Sequence, residues 1–348
     1  MRNWKHLNEN SGEILRATPA SEWLLDNFYI VEEQVKEITQ SISKKYFNQL
    51  PRLKSGRLRG YPRVYAIALE LISHTDGRFD EKLLVNFVTA YQNHALLSSG
   101  ELWVLPIMIR IALIENIRRI CDKIVVSHQQ RSKADRLADI LLAYKDKNPE
   151  EYLEIIKDQM EQMEIIDASF GEHLLRRLKK YSIETSIIIK YIDDRLAEQN
   201  TNSEGITGLE HKEQAMRQVS MGNSITSIKL ISTLEWAVIF EKLSKIEQIM
   251  RLDPSGVYAK MDFQSRDYYR HEIEKLAKQN KQSEISIAKK LIEAAEEQNQ
   301  HVGYFLFCGE KELLNKKIGD KSPKKKLYTI FVYITSICII TVLLLIPL

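Results

Sequence analysis

"TPASEWLLDNFYIVEEQVKEI" (residues 18–38) sets a pattern that the rest of the chain repeats. Thr18 offers a side-chain oxygen suited to an N-cap, and Pro19 takes the first helical position, where a missing N–H costs nothing. Leu24, Phe28, Val31, Val35 and Ile38 then recur at steps of four and three, with Glu32, Glu33, Lys36 and Glu37 on the other face. That spacing predicts an amphipathic helix lying on a core. Only 13 Gly and 8 Pro occur in 348 residues, too few for the many tight turns of an all-β protein. Sustained period-2 alternation is absent, so the expected fold class is all-α: a multi-helix cytoplasmic region followed by one C-terminal transmembrane helix.

Further helices follow the same logic. Val64, Ala68, Leu71 and Ile72 mark one that ends at the turn Asp76-Gly77, and Leu84, Phe87, Val88 and Tyr91 mark the next. In "SSGELWVLPIMIRIALIENIRRI", Ser98 and Glu101 form a capping box. The apolar run behind them is short, holds Arg110 and contains Pro106, which predicts a buried helix kinked at the proline rather than a membrane span. From about Ser132 to Ala197 several further helices are expected, with Leu137, Ile140, Leu141 and Tyr144 a clear example, and the polar stretch at 198–211, with two glycines, reads as a loop or hinge. The expected organisation is a helical subdomain at 1–126, a second at 127–310, a basic juxtamembrane linker at 311–326 and a membrane helix at 327–348.

The last segment rests on "LYTIFVYITSICIITVLLLIPL", which contains no Asp, Glu, Lys, Arg or His and is long enough to cross ~30 Å of hydrocarbon. Lys316, Lys317, Lys321, Lys324, Lys325 and Lys326 precede it, and their charge predicts that the N-terminal part faces the cytoplasm. No secretory signal is legible at the N-terminus. Cys121, Cys308 and Cys338 are far apart and suggest neither a zinc site nor a disulfide framework.

Signals for chemistry are few. Phosphate-cradling glycine motifs and a nucleophile elbow are missing, and "HEIEK" has Lys275 where a second zinc-binding His would stand. Asp193-Asp194 fall in a helical context, which makes them a solvated face rather than metal-binding aspartates. The Arg and Lys residues between Arg52 and Arg63 could hold phosphate or anionic lipid, with a plain solvated loop the simpler reading. No catalytic, cofactor-binding or metal-binding residue is assigned, no cofactor is expected, and the net charge of +3 gives no reason to expect nucleic acid.

What remains is "DPSGVYAKMDFQSRDYYRHEIEKLA" (residues 253–277), dense in Tyr, Arg and Asp. Asp253, Gly256, Tyr258, Asp262, Arg266, Asp267, Tyr269 and Arg270 form the candidate motif. It predicts a helix end, a turn through Pro254-Ser255-Gly256, and a new helix from about Asp262 or Ser265. Its polar side chains either make buried or interfacial contacts that tie the turn down or build a carbohydrate or anion site from aromatic faces and guanidinium forks.

With that stretch, the blocks at 18–35, 60–80 ("GYPRVYAIALELISHTDGRFD"), 100–119 and 301–306 ("HVGYFL") resemble, in order, the N-terminal region of the cyclic β-1,2-glucan synthases. The resemblance implies large bacterial inner-membrane glycosyltransferases that use UDP-glucose and a metal. In these a helical region precedes a transferase and domains acting on glucan length. It implies that this chain is a fragment ending before the transferase, with no catalytic residue to carry over, so that activity of the chain alone is in doubt. The expected role is then a non-catalytic anchor and scaffold for carbohydrate biosynthesis. Its expected partners are the lipid bilayer, the transferase portion of a synthase and, as a further candidate, β-1,2-glucan. One subunit of a split synthase, or a free-standing tail-anchored helical adaptor, are the alternatives.

Overall fold

The computed structural model describes residues 18–143, 149–161, 165–180, 186–307, 311–319 and 333–335. Among these, sixteen helices of four residues or more occur and no strand; a single isolated antiparallel bridge joins Arg52 to Pro62. They are α1 (Pro19–Ser41), α2 (Lys44–Gln49), α3 (Arg63–His74), α4 (Glu81–Gln92), α5 (Ser99–Ala143), α6 (Pro149–Glu161), α7 (Ala168–Lys179) and α8 (Ser186–Glu198). Then come α9 (Ser203–Thr233), α10 (Trp236–Leu243), α11 (Lys245–Met250), α12 (Val257–Lys260), α13 (Phe263–Asn280), α14 (Glu284–Gln298), α15 (Val302–Phe307) and α16 (Lys311–Ile318).

The helix starts read from sequence are where the caps put them. The Thr18 hydroxyl accepts the Ser21 N–H at 3.3 Å, and Pro19 is the first residue of α1. Ser98 and Glu101 satisfy one another reciprocally: the Ser98 N–H donates to Glu101 Oε2 at 3.0 Å and the Glu101 N–H to Ser98 Oγ at 3.3 Å.

Two expectations are corrected. Residues 132–143 do not start a new helix but continue α5, which runs 45 residues with Pro106 inside it. No Gly or Pro interrupts it after Pro106, and Arg118 bridges Glu115 and Asp122 one turn to either side, the i,i+3 and i,i+4 pairing that sustains a solvated helix. The boundary expected at residue 126 therefore lies inside this helix. The loop expected at 198–211 is only four residues long, because Asn202 accepts the Gly205 N–H at 2.7 Å and caps α9, and Gly205 and Gly208 are helical. Asp193 also belongs to this junction, accepting both the N–H and the hydroxyl of Ser203.

By proximity along the fold the chain groups into two units, one of residues 1–84 and 105–234, the other of residues 85–104 and 235–348. In the first, α9 packs on α1, α7 and α8, and Leu137, Leu141, Phe170, Leu174 and Ile192 share one core. Glu210 is fully buried there and is met by Arg131 (2.8 Å), Ser169 (2.8 Å) and Gln214 (2.6 Å). Burial works to raise its pKa, but these donors prevail and hold the carboxyl below its ordinary value. In the second unit α14 is the common partner of α11, α13, α15 and α16, around Met250, Ile273, Ile287, Leu291 and Phe305.

Among the described residues no helix is long and apolar enough to cross a membrane. The span expected at 327–348 lies outside the described residues except for 333–335, which are helical, and Lys321 to Lys326 lie outside them too.

The turn after α3 shows how tightly α9 is seated in its unit. Gly77 has φ +78°, and a Cβ there would come within 2.3 Å of Ser224 Oγ. Ser227 receives the Phe79 N–H and donates to the Gly77 carbonyl, both at 2.8 Å. Gly77→Ala should therefore combine left-handed strain with a clash and lower stability by about 2 kcal/mol, read as a fall in Tm by calorimetry. An unchanged Tm would show that the turn shifts freely.

Candidate functional site

The candidate motif begins where α11 ends. Ser244 caps α11 by accepting the Glu247 N–H, and Ile246, Glu247 and Met250 are its buried residues. A carboxylate on the buried face of a six-residue helix must find donors, since an unpaired buried charge is strongly disfavoured. Glu247, 1% exposed, takes a hydrogen bond from the Tyr258 hydroxyl at 2.8 Å and one from Arg270 Nη1 at 2.5 Å, both on Oε2. Its Oε1 lies 2.9 Å from Arg251 Nε and 3.3 Å from Arg266 Nε without a well-aligned N–H, so that side of the carboxylate is held by charge rather than by direction.

Arg270 is brought to that point by α13. Asp262 caps the helix, accepting the Ser265 N–H at 2.8 Å, and Arg270, Ile273 and Ala277 then follow at helical spacing on its buried face. The guanidinium is sandwiched between the rings of Phe240 and Phe263, each 5.0 Å from its central carbon, and Trp103 stacks on Phe240 at 4.7 Å. Nη2 donates to Asp267 at 3.2 Å, while Nε is buried without a hydrogen-bond partner. Burial works to lower the Arg270 pKa, but the neighbouring Tyr258, Glu247 and Asp267 raise it, and the side chain stays charged. Burial and the Glu247 charge push the Tyr258 phenol far above its usual range. Arg266, one turn earlier, grips Glu241 through Nε and Nη2 and also donates to the Met261 carbonyl.

A second cluster closes the turn. The Asp253 carboxylate accepts from Ser255 Oγ at 2.5 Å, the Tyr258 N–H at 3.2 Å, the Val302 N–H at 3.1 Å and His301 Nδ1 at 2.9 Å. One buried anion thus satisfies the opening N–H groups of both α12 and α15. Burial works to raise this carboxyl, but the four donors outweigh it and hold it below the ordinary carboxylate value. The other nitrogen of His301, Nε2, meets the Tyr269 hydroxyl at 3.0 Å, so carboxylate, imidazole and phenol stand in line. A Cβ on Gly303 would approach that hydroxyl to 2.3 Å, which is why only glycine fits beneath it. Gly256, at φ +65°, supplies the left-handed residue that starts α12.

All eight residues singled out in sequence therefore lie along one continuous α11–α13 segment, and all but Gly256 enter hydrogen bonds through their side chains, Asp253 and Asp262 as caps of helix starts and Tyr258, Arg266, Asp267, Tyr269 and Arg270 as partners within the buried clusters. Sequence reasoning missed Glu241, Glu247, Phe240 and His301. Glu247 had a signal, since it falls between Ile246 and Met250 on the apolar stripe of α11; His301 lies 48 residues from Asp253, and nothing local links them. On the exposed side the same segment offers Leu252, Val257 and Tyr268, the last stacked on Phe307 at 5.0 Å. Among the described residues no group of three or more His, Cys, Asp or Glu side chains is placed to hold a metal.

Truncating Glu247 to Ala would strand the Arg270 charge between two phenyl rings, and the expected cost is about 3–5 kcal/mol, measured by denaturant unfolding. Tyr268→Ala should stay within roughly ±0.5 kcal/mol because the ring is mostly exposed. The ionised form of Asp253 stabilises the fold, since its folded pKa lies below that of the unfolded chain. Its contribution is full above about pH 4 and is lost as pH falls through the lower folded value. The stability gap between wild type and Asp253→Asn should therefore be wide at neutral pH and close in acid; a gap independent of pH would contradict the capping role.

No family model matches the chain. A cyclic β-(1,2)-glucan synthase, NdvB, of Rhizobium meliloti is 34% identical over 337 residues, covering 89% of this chain but 12% of that protein. Nearly the whole chain, the polar centre of α11–α13 included in its span of sequence, is thus similar to the N-terminal part of a cyclic β-(1,2)-glucan synthase.

Proposed function

We propose that this chain is a helical, non-catalytic module of cyclic β-1,2-glucan synthesis, which anchors and positions a transferase portion at the bacterial inner membrane. The observation that carries this reading is the 34% identity sustained along 89% of the chain with the N-terminal part of such a synthase. The geometry agrees with a supporting role: the densest polar cluster is buried, its charges are matched, and its aromatic rings pack on one another. Such a network fixes the path of four successive helices, α10 to α13, and leaves the exposed side chains Leu252, Val257 and Tyr268 free to meet another protein surface. Residues 327–348 supply the anchor in this reading, and the lysines before them orient the helical part toward the cytoplasm. UDP-glucose chemistry belongs to the transferase portion, whether joined in one polypeptide or encoded apart, and β-1,2-glucan is a further candidate ligand of the helical surface.

Two measurements test the reading. The purified chain alone should incorporate no glucose from UDP-glucose, whereas coexpression with the transferase portion of a synthase should give a complex that copurifies from membranes. Glucan made by the chain alone would overturn the non-catalytic assignment. Deleting residues 327–348 should release the chain from the membrane fraction; if it stays there unchanged, the anchor lies elsewhere.

A further inference from the structure

Between Glu37 and Glu70 the sequence has no acidic residue at all, yet it carries Lys44, Lys45, Arg52, Lys54, Arg57, Arg59 and Arg63. Seven positive charges in this one stretch exceed the net +3 of the whole chain, so the remainder is acidic on balance. All of it falls within the first unit. A charge run of this kind is ordinarily a solvated face, but here the backbone holds it in a defined shape. The Leu53 N–H donates to the Tyr61 carbonyl at 3.0 Å, the Gly60 N–H to Leu53 at 2.9 Å and the Arg63 N–H to Pro51 at 2.9 Å, closing a hairpin-like loop. Gly56 (φ +81°) and Gly60 (φ +86°) make its turns, and nothing lies within 4 Å of where their Cβ atoms would stand. The loop therefore stands out from the unit.

Most of its charges are committed to nothing. Arg52 braces the loop, donating to the Gly60 carbonyl at 2.6 Å and Asn48 at 3.0 Å while lying over the Phe47 ring. Lys44, Lys45, Lys54, Arg57 and Arg59 are exposed, and among the described residues no carboxylate pairs with them. Tyr61 is half-exposed in the same loop, its ring tilted against that of Tyr65 at 5.7 Å. Directly beside the braced arginine is an open, largely apolar groove of about 300 Å³, lined by Ile38, Ile42, Phe47 and Ile111 with Lys44 and Asn48. Cations without anions, an interfacial tyrosine and an apolar groove are the three features that a lipid surface satisfies together: headgroup phosphate, headgroup boundary and acyl chain. A protein partner or a free anion would use only some of them.

We propose that residues 38–63 and this groove form a docking surface for anionic phospholipid, which lays the first unit against a negatively charged bilayer face. The inference does not depend on residues 327–348 acting as an anchor, nor on the synthase reading, and its failure would leave both intact. An amphiphilic site of this kind makes two separable demands, on charge and on the groove. Charge attraction to the bilayer falls off within a Debye length, ~10 Å at 0.1 M salt and ~3 Å at 1 M, so binding should weaken steeply with ionic strength.

Hydrogen exchange of the full chain, followed by mass spectrometry, distinguishes the outcomes. With phosphatidylcholine vesicles containing phosphatidylglycerol, amides of residues 44–63 should exchange about tenfold more slowly than with pure phosphatidylcholine, and the effect should vanish at 1 M salt. The combined variant Lys54→Gln, Arg57→Gln, Arg59→Gln should lose the protection while keeping its Tm, because the three side chains are exposed. Ile42→Asn, which alters the groove and no charge, should reduce it several-fold, on the order of the loss of one apolar contact. Equal protection by neutral and anionic vesicles would overturn the proposal. So would equal protection by inorganic phosphate without lipid, which would mark a small-anion site, or by a single-stranded oligonucleotide, which would mark a polyanion surface. Full protection in Ile42→Asn would overturn the part assigned to the groove.

Discussion

Arg270 cannot leave the Glu247 carboxylate without stranding a charge between two phenyl rings, and the course of four helices follows from that constraint. Glu247 is on α11, Tyr258 on α12, Arg270 on α13, and Phe240 and Glu241 on α10. Each of these helices but α13 is eight residues or fewer, too short to be stable alone, so their order comes from tertiary partners rather than from propensity. A buried ion pair adds little net stability over well-packed hydrophobes. Its effect here is geometric: an aliphatic cluster tolerates many arrangements, whereas a fork between two carboxylates and two rings tolerates few.

The first unit solves the same problem with different residues. Long helices α5 and α9 each bury one stripe, and the polar groups that fall on that stripe have to be matched. Glu210 is matched by Arg131, Ser169 and Gln214, and Arg217 by the Ser127 hydroxyl at 2.7 Å. Asn116 donates to both Ser220 and Ser224, joining α5 to α9 beside the Gly77 turn. These are positions where a helix pair is fixed in rotation and register as well as in contact.

For function, the inside and outside of the candidate motif divide. Its arginines and buried tyrosine are occupied by the carboxylates of Glu241, Glu247 and Asp267, which leaves binding to the exposed side chains of the same segment and to the cationic loop of the first unit. The Asp253–His301–Tyr269 line could pass a proton along its length, yet both ends are tied to helix starts and to the packing over Gly303, which suits a brace. That division is the one expected under the proposed scaffolding role.

Much of this was legible in the sequence because helix signals are local. Caps at Thr18 and Ser98, and the apolar steps of α1 and α3, need only residues three or four apart, and they predicted elements where the structure has them. The acid-free run from residue 38 to 69 is likewise a property of the chain alone. What the sequence could not decide is which distant side chains meet. The junction between α5 and the helix expected after residue 132 vanished because ion pairs one turn apart carry the helix through, and the loop at 198–211 shrank because Asn202 caps early. The pairing of Asp253 with His301, Glu247 with Arg270 and Gly77 with Ser227 spans 48, 23 and 150 residues. Such partners are chosen by how the helices pack, since a buried polar atom takes whichever complementary group the fold brings within 3 Å, and no spacing rule along the chain encodes that distance.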